Sequence, residues 1–257
     1  MVTVKNAAQI AKMRAAGELL WQVLEKVSAE VRPGVNTLDL DAYAHELIVG
    51  AGAVPSFLGF EGYPATLCTS VDDQVVHGIP SKDQVLREGS IISLDCGLKL
   101  EGWQSDSART IRVGEVPPEI DALIRVTEEC FFIGARMAVS GNTLGDIGAA
   151  IQAHAESHGY GVIRDLTGHG IGREMHEDPA VYNIGLAGHG MRLQPGMTLA
   201  IEPMIALGDW RGYEDDDGWC FRTRDGKPCS HYEQTLVVRE SGLPEILSYP
   251  GFEWKER

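Results

Sequence analysis

The sequence predicts an α+β protein built from two related halves. Segments with helical spacing of apolar residues alternate with short segments of strand-like alternation. Two unrelated stretches also recur at nearly one distance: residues 36–38 return as 142–144, and residues 86–95 return as 193–202, with offsets of 106 and 107 residues. Since no low-complexity linker divides the 257 residues, we expect one domain over 1–257, with halves of about 1–118 and 119–257.

Four segments have the pattern of amphipathic helices. In the first, apolar residues fall on one face, Asn6 is a suitable N-cap, and Arg32-Pro33-Gly34 ends the helix. The predicted helices are 7–31, 37–49, 119–138 and 143–158.

Strands are predicted between and after these helices. Residues 90–96 alternate as a strand does, and 103–113 return beside them after a turn near 100–102. Later strands are predicted near 198–203 and 231–239, and residues 253–257 as a charged tail. The two copies of the repeat end on the carboxylates Asp95 and Glu202. If the halves pack about a pseudo-two-fold axis, these carboxylates should meet near it.

Composition excludes several classes of protein. The hydrophobic share of 44% and charged share of 23% are those of a globular chain. Acidic residues outnumber basic ones 37 to 22, so the surface should repel nucleic-acid phosphates and anionic lipids. The five cysteines form no CxxC pair, which favours reduced, buried thiols in a cytoplasmic protein. No signal peptide or membrane span is predicted.

The predicted hairpin brings two carboxylates together. A turn near 100–102 places Asp95 across from Asp106, directly or diagonally. Two such carboxylates repel each other, and a divalent cation between them removes the repulsion. The alternative is that one aspartate is merely a turn residue at a strand end.

Further candidate ligands lie in the second half. His169 and His176 stand seven residues apart in a Gly-rich segment, so they need not bind one ion; one can be a ligand and the other a hydrogen-bond donor to substrate. The alternative is that both are surface side chains. Glu202 and Glu233 are embedded in apolar strands, where a glutamate is rarely buried unless paired or metal-bound. Glu233 could otherwise be an exposed edge-strand residue, and His231 shares its strand face.

Four acids and one histidine are too acidic a set for a single zinc ion. They suit two harder divalent ions such as Mn, Fe or Co, which can share a hydroxide nucleophile. The residues therefore predict a two-metal hydrolase. No GxSxG, GxGxxG after a strand, GxxxxGK[ST] or HExxH motif is present. The other histidines are interpreted as surface or loop residues: His45, His154, His158 and His189.

At these residues the sequence resembles the type I methionine aminopeptidases of the "pita-bread" metallopeptidase family. The spacing of the five candidate ligands fits that family's metal ligands. The other matching segments are 55–64, His77-Gly78-Ile79-Pro80, 167–179, Pro203 after Glu202, and Tyr232-Glu233.

The resemblance implies a fold and a set of roles. The fold would be two pseudo-symmetric halves with a central, mostly antiparallel sheet flanked by helices. Of two divalent ions (Co, Mn, Fe or Zn), Asp95 would chelate one, His169 and Glu202 would hold the other, and Asp106 and Glu233 would bridge them. Glu202 would also shuttle the proton. His77 and His176 would contact the scissile amide and its tetrahedral intermediate, and the methionine pocket would be lined by Phe57, Phe60, Tyr63, Cys68, Met175 and Trp219.

The implied activity is removal of the initiator methionine when the second residue is small. The implied partners are nascent polypeptide N-termini at the ribosome, the implied state is a monomer, and no zinc-finger or proline-rich extension for ribosome docking precedes Asn6. Departures from the usual pattern are Asp72-Asp73, Tyr182 and His231. Two alternatives remain: a proline-directed peptidase, which usually carries an additional N-terminal domain, and a non-catalytic peptide-binding member of the fold, which would lack ligands.

Overall fold

The computed structural model describes residues 2–255. Four α-helices are present in that range, and their bounds are α1 Ala7–Ala29, α2 Thr37–Gly50, α3 Pro118–Met137 and α4 Leu144–Ser157. The first half contributes strands β1 Val54–Pro55, β2 Leu67–Val71, β3 Gln74–Val76, β4 Ile91–Leu100 and β5 Trp103–Arg112, and a 3₁₀ turn at Phe60–Gly62. The second half contributes β6 Gly161–Val162, β7 Gly168–Gly170, β8 Glu177–Val181, β9 Thr198–Ile201, β10 Met204–Ala206, β11 Gly212–Glu214, β12 Phe221–Thr223, β13 Cys229–His231, β14 Glu233–Val237 and β15 Glu245–Ile246.

All four predicted helices are present, and their ends follow local chemistry. Asn6 accepts a hydrogen bond from the backbone N–H of Gln9, and the Gln9 side chain accepts one from the backbone N–H of Asn6. This reciprocal cap satisfies two donors that the first helical turn leaves open. At α4 the Asp146 carboxylate accepts hydrogen bonds from both the backbone N–H and the hydroxyl of Thr143.

A nine-stranded sheet forms the centre of the molecule. Its main path runs β1-β4-β5-β14-β9-β7-β8, with β2 added on β4 and β15 on β14. Two three-stranded sheets, β13-β10-β6 and β11-β12-β3, complete the structure. Within residues 2–255 all strand pairs are antiparallel. Helix α1 packs on β4 and β5, and α3 packs on β9, β10, β13 and β14.

The predicted hairpin turns at Glu101 and Gly102, which have φ of 49° and 80°. Asp95 pairs with Ala108 and Gly97 pairs with Asp106. The two aspartates are therefore diagonal neighbours on the sheet, one of the two arrangements expected.

Strands lie near 198–203 and 231–239, as predicted, and at each place the chain forms two short strands. In both places the chain passes between the central sheet and the sheet β13-β10-β6. Strand β9 ends at Ile201, and β10 starts after Glu202-Pro203. The pyrrolidine nitrogen of Pro203 has no hydrogen to donate to a strand partner, so the ladder breaks there. Tyr232 separates β13 from β14, and its backbone N–H donates to the carbonyl of Pro203 at 3.2 Å.

The repeated sequences make equivalent backbone contacts. Isolated strand bridges recur in the two halves, and so do the adjacent loop hydrogen bonds, each displaced by 107 residues. The bridges are Asn36–Val85 and Thr143–Arg192, and the hydrogen bonds are Gly34–Leu86 and Gly141–Leu193. The division of the chain near residue 118 stays a prediction.

Two features, the state of the cysteines and the character of the helices, bear on the expectations from composition. All five cysteines are buried and unpaired. No helix in residues 2–255 combines the length and the apolar character needed to cross a membrane.

In the predicted charged tail, Trp254 donates its indole N–H to the carbonyl of Pro244 at 2.8 Å and packs on Phe252. The end of that tail, residues 256–257, lies outside the described residues.

Candidate metal centre

The five candidate ligands lie on five adjacent strands of the central sheet. Asp95 is in β4, Asp106 in β5, Glu233 opens β14, Glu202 follows β9, and His169 is in β7. Since β4-β5-β14-β9-β7 is the order of the strands in space, neighbouring strands hold these side chains next to one another. All five line a single cavity.

The carboxylates of Asp106 and Glu202 lie close to the ring of His169 but are not hydrogen-bonded to it. The Nε2 atom of His169 lies 3.7 Å from Asp106 Oδ2 and 3.8 Å from Glu202 Oε1. These distances exceed the 2.7–3.2 Å of a hydrogen bond. Asp106, His169 and Glu233 each offer one ligand atom within 4.8 Å of the others, a spacing that leaves room for an ion between them.

Buried polar atoms without partners point into the same region. Asp95 Oδ1 and Glu233 Oε1 make no hydrogen bond and are shielded from solvent. Such groups are uncommon in folded proteins, and a bound ion is one of the standard explanations for them. Carboxylate-rich sets of this kind suit hard or borderline divalent cations. The residues present therefore fit divalent metal ions.

The carboxyl groups are held where their charged forms are disfavoured. Burial, followed by the charge of neighbouring acids, raises the pKa of Asp95, Glu202 and Glu233 well above the ordinary value. Burial likewise raises the pKa of Asp106 to about 7, against the opposing effect of hydrogen bonds from Ser107 and Asp95. Without a cation, the cluster binds protons instead.

His169 has the tautomer that a metal ligand needs. Its Nδ1 lies 2.9 Å from the carbonyl oxygen of Gly170, which can only accept, so Nδ1 carries the proton. The lone pair is then on Nε2, the atom nearest Asp106 and Glu202. Burial lowers the pKa of His169 to about 4, which keeps the ring neutral.

Two more histidines line the cavity. His77 follows β3 with φ of 59°, a left-handed conformation that is unusual for a residue with a side chain. The ring of His176 lies 4.3 Å from that of His169 and 5.2 Å from that of Phe60, measured between ring centres. Burial lowers the pKa of both His77 and His176, to about 4 for His176.

An apolar wall faces these histidines. Its side chains are Phe57, Phe60, Tyr63, Cys68 and Trp219. Tyr63 and Trp219 meet edge to face with ring centres 5.1 Å apart. The Tyr63 hydroxyl donates towards the carbonyls of Leu67 and Gly78, at 3.0 and 3.1 Å, which leaves the ring to face the cavity. Burial raises the pKa of the Cys68 thiol well above its usual value, so this side chain is also uncharged.

Met175 is not among the residues that border the cavity. It packs with Met13 and Trp103 against Phe57, at 3% exposure. Gly97 makes this possible, because a Cβ there would lie 2.2 Å from Met175 Cε and 2.9 Å from Phe57. The cavity residues that the sequence analysis missed are Glu61, Val76, Leu166, Thr167 and Met204. Two of these could have been predicted from their positions in the sequence. Met204 directly follows Glu202-Pro203, and Thr167 lies in the Gly-rich segment.

The unusual residues outside the cavity have structural partners. Asp72 accepts from the Ser90 hydroxyl and the Ile91 backbone N–H. Asp73 pairs with Arg222 at 2.9 Å, whereas Tyr182 is exposed. None of the four remaining histidines lines the cavity: His158 and His189 are exposed, as expected, but His45 and His154 are half-buried and hydrogen-bonded to Thr66 and Glu129.

Comparison with known proteins gives matches over nearly the whole chain. Residues 11–240 match the model of metallopeptidase family M24. A methionine aminopeptidase of Clostridium acetobutylicum is 48% identical over 248 residues, which cover 96% of this chain and 99% of that protein. The crystal structure of methionine aminopeptidase from Thermotoga maritima is 42% identical with a TM-score of 0.94, covering 96% of this chain and 99% of that one. The corresponding structure from Rickettsia prowazekii is 38% identical with a TM-score of 0.94, covering 96% and 100%.

Proposed function

The chain belongs to metallopeptidase family M24 and, within it, to the methionine aminopeptidases, and from that premise we propose that it releases an N-terminal methionine followed by a small residue, at a centre of two divalent ions. It is a metal-dependent hydrolase with the pita-bread fold. The observation that carries the proposal is the cluster of four buried carboxylates and one imidazole on adjacent strands, facing an apolar wall.

We assign the ligands as follows. Asp95 would chelate one ion, His169 and Glu202 would hold the other, and Asp106 and Glu233 would be shared between the two. The unpartnered Oδ1 of Asp95 and Oε1 of Glu233 support these assignments, as does the neutral tautomer of His169. Divalent ions bound here would lower the pKa of a water molecule and stabilise developing negative charge on the substrate oxygen. The donor set fits Co, Mn, Fe or Zn.

Glu202 is the proposed proton carrier. Its backbone carbonyl accepts a hydrogen bond from Asn183 at 2.9 Å, which fixes the residue at the end of β9. Its side chain is 14% exposed and borders the cavity, where it would exchange a proton with the attacking water and the leaving amine. General acid–base transfer of this kind contributes about 10²–10⁴-fold to the rate.

His77 and His176 are the proposed donors to the scissile carbonyl. Burial lowers the pKa of both imidazoles, so both rings are neutral near pH 7. A neutral imidazole has one N–H, which each histidine can donate to the carbonyl oxygen. Such donors act mainly on the oxyanion that develops in the transition state. The ring of His176 lies near both His169 and Phe60, which supports a peptide bond bound between the proposed metal centre and the proposed methionine pocket.

The proposed specificity has two parts. Phe57, Phe60, Tyr63, Cys68 and Trp219 bind the unbranched, polarizable methionine side chain through apolar contacts. Beyond that pocket the second residue must pass close to His77 and His176. We expect only small side chains to fit there without displacing the amide from its attack position.

The wider setting follows from the proposed substrate. The proposed partners are the N-termini of nascent polypeptides, which the protein would meet at the ribosome in the cytoplasm. The working unit is a single catalytic domain acting as a monomer, composed of the two halves that meet near residue 118.

A release assay tests the proposal. The protein is freed of metal by chelation, reloaded separately with Mn, Fe, Co or Zn, and assayed on Met-Ala-Ser, Met-Lys-Ser and Ala-Pro-Ser peptides. We expect methionine release from the first peptide only, and only after reloading. Release from Ala-Pro-Ser would favour a proline-directed peptidase, and peptide binding without release by every metal-loaded form would favour a non-catalytic role.

A further inference from the structure

His231 is a buried histidine whose ring has no hydrogen-bond partner. Its exposure is 1%, and neither Nδ1 nor Nε2 makes a hydrogen bond within the described chain. A buried imidazole normally satisfies at least one nitrogen, because leaving both unpaired forfeits the hydration that they had in water. The side chain therefore requires a partner.

The backbone of His231 is firmly held. Its N–H donates to the Thr110 hydroxyl at 2.9 Å, and its carbonyl accepts from the same hydroxyl at 2.9 Å. Pairing with Met204 in the small sheet fixes the strand as well. The ring consequently has little freedom to seek a partner elsewhere.

The groups nearest the ring are two of the proposed metal ligands. The Nε2 atom lies 3.8 Å from Glu202 Oε2 and 3.8 Å from Glu233 Oε2. Direct N–H···O hydrogen bonds need about 2.7–3.2 Å, so neither carboxylate is a hydrogen-bond partner at this distance. Since one ligand atom of each of these three residues lies within 4.8 Å of the other two, a point equidistant from the three atoms lies about 2.1–2.5 Å from each, close to the length of a bond from a metal ion to nitrogen or oxygen.

We propose that His231 is itself a metal ligand, binding through Nε2 the ion that Glu202 and Glu233 also hold. The inference rests on the metal centre of the proposed function and adds a second imidazole to it. Glu202, His231 and Glu233 each offer one ligand atom within 4.8 Å of the others, as Asp106, His169 and Glu233 do. Glu233 belongs to both groups, so a ring nitrogen of each imidazole lies within 4.8 Å of its carboxylate.

A second imidazole changes which ions the centre prefers. Imidazole favours zinc, cobalt and iron, whereas an all-carboxylate environment favours manganese and magnesium. Replacing His231 should therefore weaken zinc binding more than manganese binding. His231→Gln is a suitable variant because the amide is uncharged and of similar length.

Zinc K-edge X-ray absorption tests the assignment on the zinc-loaded full chain. Outer-shell scattering counts the imidazoles bound per chain, independently of activity. We expect two in the wild type, one in His231→Gln, and two in His189→Gln, which removes an exposed histidine away from the cavity. Chelator competition should show zinc affinity reduced at least about tenfold in His231→Gln, with a smaller loss for manganese.

Each result decides a different question. One imidazole in the wild type overturns the inference, whether or not the variant folds. Two imidazoles in both wild type and a folded His231→Gln also overturn it, because the second ring must then be another histidine. Failure of the wild type to bind zinc, manganese, cobalt or iron would instead overturn the metal centre of the proposed function, a result distinct from an unchanged imidazole count.

Discussion

Asp106→Asn should stabilise the metal-free protein and destabilise the metal-loaded one. Burial raises the pKa of Asp106 from an ordinary 3.8 to about 7 in the folded chain. The folded state thus binds this proton more tightly than the unfolded state does. The stabilisation that this pKa difference provides is fully present below about pH 4 and is lost as the pH rises towards 7.

The magnitude follows from the size of the shift. Each pKa unit corresponds to 1.36 kcal/mol, so the whole shift is worth about 4 kcal/mol. Between pH 5 and pH 8, metal-free wild type should lose about 3 kcal/mol relative to Asp106→Asn, because the amide neither titrates nor repels Asp95. For a chain of this size that is about 6–12 °C in melting temperature.

The pH dependence of the wild-type free energy of unfolding does not isolate Asp106, because histidines also contribute to it. Wild type is therefore compared with Asp106→Asn at each pH. Burial lowers the pKa of His169 and His176 to about 4 and of His231 to about 3. Histidines shifted in this direction add stability as the pH rises through their unfolded value near 6.5, which opposes the effect of the acids. The difference between wild type and Asp106→Asn cancels the histidine contribution to first order.

Urea unfolding at pH 5, 6, 7 and 8, with chelator and with saturating metal, provides the measurement. The free energy of unfolding of Asp106→Asn should exceed that of wild type in chelator, increasingly above pH 6. With metal the order should reverse, because the amide is a weaker ligand than the carboxylate. A metal-free variant that is less stable than wild type at pH 8 would refute the reasoning.

Three further changes test the catalytic groups. Glu202→Gln should keep the fold and lower kcat about 10²–10⁴-fold at full metal occupancy, because the amide cannot carry a proton; circular dichroism and steady-state kinetics measure both. His176→Ala should lower kcat more than it raises KM on a peptide panel varied only at the second residue, because its hydrogen bond strengthens in the transition state. Gly97→Ala should raise KM for methionine peptides, since its Cβ would displace Phe57 and the end of Met175; melting temperature and KM, measured together, separate this effect from unfolding.

Specific outcomes would contradict these three expectations and the proposed preference for a small second residue. Near wild-type kcat in metal-saturated Glu202→Gln would remove Glu202 from proton transfer. A pure KM effect would assign His176 to ground-state binding. Similar kcat/KM for Met-Lys and Met-Ala peptides would remove the steric explanation of specificity, in which a displacement of about 1 Å costs 10²-fold. Unchanged KM in Gly97→Ala would show that the wall adjusts elsewhere.

The local elements could be predicted because their signals are local. Asn6 caps α1 with Gln9, and Glu101-Gly102 supplies the turn that sets the register of Asp95 and Asp106. In a hairpin, once the turn is located, cross-strand neighbours follow by counting residues. The proximity of these two carboxylates was thus accessible from the sequence alone.

The remaining differences arise from contacts between distant segments. Met175 is as apolar as any pocket residue, but Gly97 leaves room for it behind the wall. The change of sheet at Pro203 and Tyr232 depends on which strands compete for pairing. His231 could be placed beside Glu233 from strand alternation, but the absence of hydrogen-bond partners for its ring is a property of packing within the described residues.

The change of sheet also explains how the acids can be held together. Glu202 and Glu233 lie where β9 and β14 meet the small sheet, so their side chains reach the cavity while their backbones stay fixed. Asp95 and Asp106 are anchored within a ten-residue hairpin ladder. A rigid sheet prevents the four carboxyl groups from separating to relieve their repulsion, which leaves protons or cations as the only means of relief. Metal affinity and the instability of the metal-free centre at high pH therefore have one cause, and a substitution that reduces the second should reduce the first.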